Sequence, residues 1–264
     1  KARGWRLPCF VPVTMRAAWC LLLTAATAAA TNVLWLPLGD SITWGCGSHA
    51  APRAGASCAQ DAGGYRVPLA WALSQQGHNV TTMGTLARTG PDYAPAQWLS
   101  HDGHPGWRFD QIDGLLDSSL ASAARAPDLI TIHLGTNDCE QGANVSTINA
   151  RLVSLLGHIF AKVPSSNVFI ASMISNPDKP DCTDRFNQGL PAFVAQFKAR
   201  GMRITYTPMQ EWSGVCTAGG TEDPLSGLCC SRKVHPTAAG YLRMASAFAL
   251  SIAENAVLSR LEYI

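Results

Sequence analysis

Ser41, Asn137 and His235 are the residues of this chain whose types could combine in nucleophilic acyl transfer. Each stands in a short polar block: Gly39-Asp40-Ser41-Ile42-Thr43, Gly135-Thr136-Asn137-Asp138 and His235-Pro236, with a fourth block at His104-Pro105-Gly106-Trp107. Cleavage of an ester by a serine needs a hydroxyl, a base to take its proton, and donors for the oxygen that becomes negative. Ser41 can supply the hydroxyl and His235 the base. The Asn137 side chain and the backbone amides of Ser41 and Gly106 can supply the donors, and a glycine at 106 lets backbone approach a reacting oxygen closely. Trp44 and Trp107 flank the proposed site and offer faces for stacking on sugar rings, with packing against neighbouring loops as the alternative. His104 is a candidate to line the substrate pocket. Gly-Asp-Ser is also a common turn sequence, so each block alone says little; the four together, in this order, say more.

Such groups must be held at one rim of a rigid element, and the apolar run Val33 to Leu38 ahead of Ser41 reads as a buried parallel strand. Further strands are expected at 79–84, 128–134, 167–174 and 202–207. Helices are expected at 65–76, 109–124, 145–162 and 184–200, with a last one to about residue 260. Between 84 and 109, Pro91, Pro95 and Pro105 argue against any regular element, and a Gly- and Cys-rich loop is expected before His235. Strands alternating with helices predict a single α/β domain over 31–264, a three-layer α/β/α arrangement of a parallel sheet. Ligands bind such sheets beyond the carboxyl ends of the strands, where all four blocks lie. His133 falls inside a strand and reads as a core histidine.

The 264 residues, 47% of them hydrophobic, suffice for a large core. Four of the 20 basic residues and none of the 18 acidic ones precede residue 31, leaving 16 against 18. That balance gives no footprint for nucleic acid and no basic stripe for a membrane. Residues 1–30 read as a leader: Met15-Arg16, an apolar run and a small-residue tract have the order of a secretory signal, too short to span a bilayer comfortably. Nine cysteines are present, seven of them beyond the leader, which fits an oxidising compartment and up to three bridges. The preferred pairs are Cys46–Cys58, Cys139–Cys182, and Cys216 with Cys229 or Cys230. No pair has Cys-x-x-Cys spacing, so zinc is not expected. Asn79-Val80-Thr81 and Asn144-Val145-Ser146 are glycosylation sequons. A secreted monomer without stable membrane association is the expectation.

From about Leu34 to Tyr241 the chain resembles the GDSL or SGNH hydrolases, named for the Ser, Gly, Asn and His of four blocks. Ser41, Gly106, Asn137 and His235 occupy those four places. Gly-Asp-Ser-Ile-Thr-x-Gly, the His-Pro-Gly-Trp run and His-Leu-Gly-Thr-Asn-Asp are most similar to carbohydrate esterase family 3. The resemblance implies a flavodoxin-like five-stranded sheet in the order 2-1-3-4-5. It also implies removal of acetyl groups from a polysaccharide such as xylan, with no metal or organic cofactor. Fold does not fix substrate. A lipid or small-molecule esterase of the same fold and a non-catalytic carbohydrate-binding protein are the rivals.

The family pattern places an Asp three residues before the catalytic His, and Arg232 stands there in Ser231-Arg232-Lys233-Val234-His235. An arginine has no acceptor for the imidazole N–H, and its charge near the ring would disfavour the imidazolium. Three readings stay open: a Ser–His dyad oriented by a backbone carbonyl, a triad completed by Asp223, or a protein with little or no turnover.

Overall fold

The computed structural model describes residues 31–47, 63–87, 90–216, 228–229 and 234–255. The expected leader, and the candidates Asp223, Arg232, Cys58 and Cys230, lie outside the described residues.

Strand β1 (Asn32–Gly39) is an interior strand of the sheet, and seven of its eight residues are buried. Its side chains alternate between two cores, as the pleat requires. Leu34, Leu36 and Leu38 join a cluster with Ile130, Leu152 and Phe186. Val33 and Trp35 join another with Leu69, Phe169 and Phe248. Both faces are therefore apolar, which is why the strand reads as an unbroken hydrophobic run.

The other strands are β2 (Asn79–Thr82), β3 (Asp102–Gly103), β4 (Leu129–His133), β5 (Asn167–Ala171) and β6 (Ile204–Thr207). The sheet runs β2-β1-β4-β5-β6 with β3 also against β1, and every pairing is parallel. Without β3 this is the expected five-strand order. The two-residue β3 is the departure, lying in the proline-containing stretch where no regular element was expected. Pro37 sits within β1 although a proline removes a ladder donor. The odd-numbered residues Trp35 and Gly39 present their carbonyls to the side of Met83 and His104. Pro37 faces that same side, where pairing passes from β2, ending at Thr82, to β3, starting at Asp102. Its missing N–H falls in the break.

Helices cover both faces. On one lie α3 (Phe109–Ala121), α5 (Val145–Lys162) and α6 (Pro180–Ala199). On the other lie α2 (Arg66–Gln75), α7 (Met209–Ser213) and α8 (Ala238–Glu254). Two one-turn helices, α1 (Ser41–Trp44) and α4 (Thr136–Glu140), start where β1 and β4 end. Helix α6 begins four residues before the expected Asp184 because Pro180 and Asp181 suit a first turn, where a proline lacks no needed donor. The strand expected to reach residue 174 stops at Ala171, and α7 occupies part of the stretch read as loop. Cys139–Cys182 and Cys216–Cys229 are disulfides, and Cys46 is disulfide-bonded too. Among the described residues no helix is long and apolar enough to cross a membrane.

Candidate active site

Ser41 is aimed by the turn that ends β1. The Asp40 carboxylate caps α1 by accepting from the Ile42 N–H at 2.9 Å, and Gly45, at φ 105°, closes the turn. A Cβ on Gly39 would collide with the Thr43 hydroxyl, and one on Gly103 would lie 2.5 Å from the Trp44 nitrogen. Both glycines let α1 settle onto the strand ends. As the first residue of α1, Ser41 has an amide with no acceptor inside the helix.

His235 comes from the opposite end of the chain. Thr237 caps α8 through its hydroxyl, and the Thr237 N–H donates to the Leu228 carbonyl at 2.9 Å. Pro236 bridges to Cys229, itself fastened by the disulfide to Cys216. A Cβ on Gly240 would strike the Leu228 carbonyl, so only glycine lets the 228–229 segment lie this close to α8. The result is a ring nitrogen, His235 Nε2, 2.8 Å from Ser41 Oγ. At that distance the hydroxyl can donate to the imidazole. Ser41 is buried and His235 half-buried.

The fourth block is a tight turn. The Trp107 N–H donates to the His104 carbonyl at 3.1 Å, with Pro105 and Gly106 between them and Gly106 at φ 84°. Proline followed by a positive-φ glycine is the composition of a type II turn. The turn is moored to the end of β1 by the His104 N–H donating to the Gly39 carbonyl at 3.0 Å. Gly106 is exposed, and among the described residues nothing accepts from its N–H. The buried Asp102 carboxylate accepts from the Thr85 amide and hydroxyl and pairs with His104 Nε2 at 3.1 Å. The His104 ring stacks on Trp107 with centroids 4.2 Å apart. Trp44 instead packs edge-on to His101, 5.7 Å away.

Asn137 lies on α4, entered through Gly135 at φ 116°. Its amide donates to the Trp107 carbonyl at 2.9 Å and, more loosely, to Asp40 at 3.4 Å. Burial pushes the Asp40 carboxyl up to about 7, with the nearby Asp138 charge adding to the rise. Burial also raises Asp138, but Arg151 pairs with it at 2.7 Å and the Phe109 N–H donates to it at 3.2 Å. Burial lowers the His133 imidazole to about 4, and its Nε2 accepts from the Ile174 N–H at 3.3 Å. It is a neutral core histidine.

The structure thus brings Ser41, His235, Asn137 and the Gly106 turn to one end of β1 and β4. Sequence reasoning did not find Gln141, Arg151, Asp102 and Tyr241, which hold that end together. The Gln141 side chain donates to the Gly106 carbonyl at 2.9 Å and accepts from Arg108. The Tyr241 hydroxyl donates to the Cys46 carbonyl at 2.8 Å. Only the i, i+4 spacing of Asn137 and Gln141 was a usable signal. Among the described residues, no group of three His, Cys, Asp or Glu side chains could hold a metal ion.

Residues 38–243 match the model of the GDSL-like lipase/acylhydrolase family. The chain belongs to that family. This GDSL-like chain is also 28% identical over 167 residues to a multidomain esterase of Ruminococcus flavefaciens, a match covering 56% of the chain and 20% of that relative. It therefore spans about a fifth of the relative's length. The fold is shared with a family 3 carbohydrate esterase of Clostridium thermocellum, at TM-score 0.68 and 23% identity over 85% of this chain and 96% of that one. A family 3 carbohydrate esterase of Talaromyces cellulolyticus gives TM-score 0.64 and 21% identity over 84% and 97%.

Proposed function

We propose that this GDSL-like protein is a secreted serine esterase that removes acetyl or other short acyl groups from carbohydrate. The observation that carries the reading is the 2.8 Å approach of His235 Nε2 to Ser41 Oγ beside the Asn137 amide and the Gly106 turn. Ser41 Oγ attacks the acyl carbonyl while His235 Nε2 takes its proton. The tetrahedral oxygen is held by the Ser41 and Gly106 amides and the Asn137 side chain. His235 gives the proton to the sugar oxygen as its bond to the acyl carbon breaks, so that the sugar leaves as a free hydroxyl and an acyl-Ser41 remains. Water, deprotonated by His235, then releases the carboxylic acid and restores the serine. Either a backbone carbonyl, in a Ser–His dyad, or Asp223, in place of the acid replaced by Arg232, orients the imidazole. His104, Trp44 and Trp107 belong to the substrate-facing side of this proposal, and the chemistry needs no metal or organic cofactor.

The carbohydrate part of the reading is supported by the two structural neighbours, both named as family 3 carbohydrate esterases. Acetate release from acetylated xylan, compared with hydrolysis of a long-chain p-nitrophenyl ester, tests it. The expected result is acetate release with little long-chain hydrolysis. Efficient long-chain hydrolysis without acetate release from xylan would assign the protein to lipid-like esters.

A further inference from the structure

We propose that a groove formed by Trp71, Tyr93 and Trp98 is a glycan subsite, binding neutral sugar units of the chain beyond the one that is deacetylated. The inference rests on the carbohydrate reading above. The groove has a volume of about 650 Å³ and runs between α2, the segment 93–98 and the start of α8. Trp71 is 57% exposed and Tyr93 73%. Helix α2 buries Leu69, Ala70 and Leu73 in the core and leaves Trp71 outside it, so the packing of the fold does not require an indole there. Exposed aromatic rings gathered along one groove offer faces on which a ligand can stack.

The chemistry of the lining narrows the occupant. None of its residues is charged, so neither a uronate nor a phosphate finds a counter-charge. The three rings each carry a hydrogen-bond donor at the edge: two indole N–H groups and one phenol. A flat apolar face with a polar rim matches a pyranose, whose C–H face stacks while its hydroxyls project outward. An acyl-chain tunnel would instead be lined by branched aliphatics, and here only Val67 and Leu242 are of that kind. The walls of the groove belong to segments that pack against those carrying the site. A Cβ on Gly64, in its wall, would lie 3.0 Å from the Ile42 carbonyl and from the Gly45 Cα in the Ser41 turn. Ala238 and Tyr241 in the opposite wall belong to the helix that follows His235.

The test compares wild type with the double variant Trp71→Ala, Tyr93→Ala on p-nitrophenyl acetate, acetylated xylobiose and acetylated xylohexaose. Unacetylated xylohexaose is also titrated into the Ser41→Ala protein with and without the double substitution. The expected result is a KM for the hexamer raised about tenfold, with the dimer and p-nitrophenyl acetate changed by less than about twofold. Xylohexaose binding should weaken by the same factor. Unchanged hexamer KM and unchanged xylohexaose binding would overturn the subsite even if acetylated xylan is a substrate. Loss of binding to phosphatidylcholine vesicles, or of self-association, in the double variant with glycan binding intact would overturn it equally. Absence of acetate release from any glycan, with p-nitrophenyl acetate still cleaved, would instead strike the carbohydrate reading; the xylohexaose titration judges the groove separately.

Discussion

The Asn137 side chain donates to the Trp107 carbonyl at 2.9 Å, and four residues on, Gln141 donates to the Gly106 carbonyl at 2.9 Å. One face of a single helical turn therefore grips two consecutive carbonyls of the 104–107 turn. The amide proposed to meet the oxyanion, Gly106 N–H, is fixed relative to the other donor, Asn137, through two hydrogen bonds rather than one. The second Asn137 proton points to Asp40 at a longer 3.4 Å, and that is the donor a substrate oxygen can claim most easily.

Gln141 is exposed, so its removal should loosen the turn without unfolding it. Replacement by Leu is expected to lower kcat about three- to tenfold, the worth of one hydrogen bond, with KM on p-nitrophenyl acetate nearly unchanged. Steady-state kinetics decide; an unchanged kcat means the 104–107 turn is rigid on its own.

Tyr241 ties the helix behind His235 to the turn behind Ser41. Tyr241→Phe leaves the buried Cys46 carbonyl without that donor, a cost of about 1–3 kcal/mol. A Tm lower by roughly 3–10 °C in thermal unfolding is expected for a domain of this size, and kcat should fall as the two segments separate. A Tm within a degree of wild type would show that the disulfides and packing alone hold the junction.

Asp40 gives a pH signature. Burial raises its carboxyl from 3.8 to about 7, so between those values the folded protein keeps a proton that the unfolded chain releases. By linkage its contribution to stability declines as pH rises from about 4 to about 7 and is level above that. Asp40→Asn removes this decline and keeps an oxygen for the cap. The stability of the variant relative to wild type should grow across that window by on the order of 3 kcal/mol. Urea unfolding at pH 4, 5.5, 7 and 8 measures it, and a difference independent of pH contradicts the burial argument.

Arg232 makes the orienting group of His235 an experimental question. With Asp223 in that role, Asp223→Asn should cost up to about 10⁴-fold in kcat, as loss of the acid does in serine proteases, and Arg232→Asp should bring little gain. The reverse pattern, an indifferent Asp223→Asn with a large gain from Arg232→Asp, would identify a Ser–His dyad.

Much of this architecture was legible because the strands are buried on both faces. The run from Val33 to Leu38 and its polar stop at Ser41 are visible without coordinates, and so is the alternation of strands and helices. The four site blocks are readable because each sits at a strand end or in the loop beyond. What escaped reading has no periodic signal. Strand β3 is two residues, Asp102 and Gly103, both poor strand formers, and it exists because Gly103 lets α1 pack against it. The partner of Tyr241 is 195 residues away, and Arg151 reaches Asp138 from the middle of α5. Such contacts depend on how finished elements dock, which spacing along the chain does not record. The ring pairs are of the same kind: Trp44 meets His101 edge-on and Trp107 stacks on His104.

The central claim is that Ser41 is the nucleophile served by His235, and the most direct measurement is kcat/KM for p-nitrophenyl acetate in wild type and Ser41→Ala. The account predicts a loss of at least about 10³-fold in a variant that unfolds at the same temperature as wild type. Equal rates in the two proteins would contradict it.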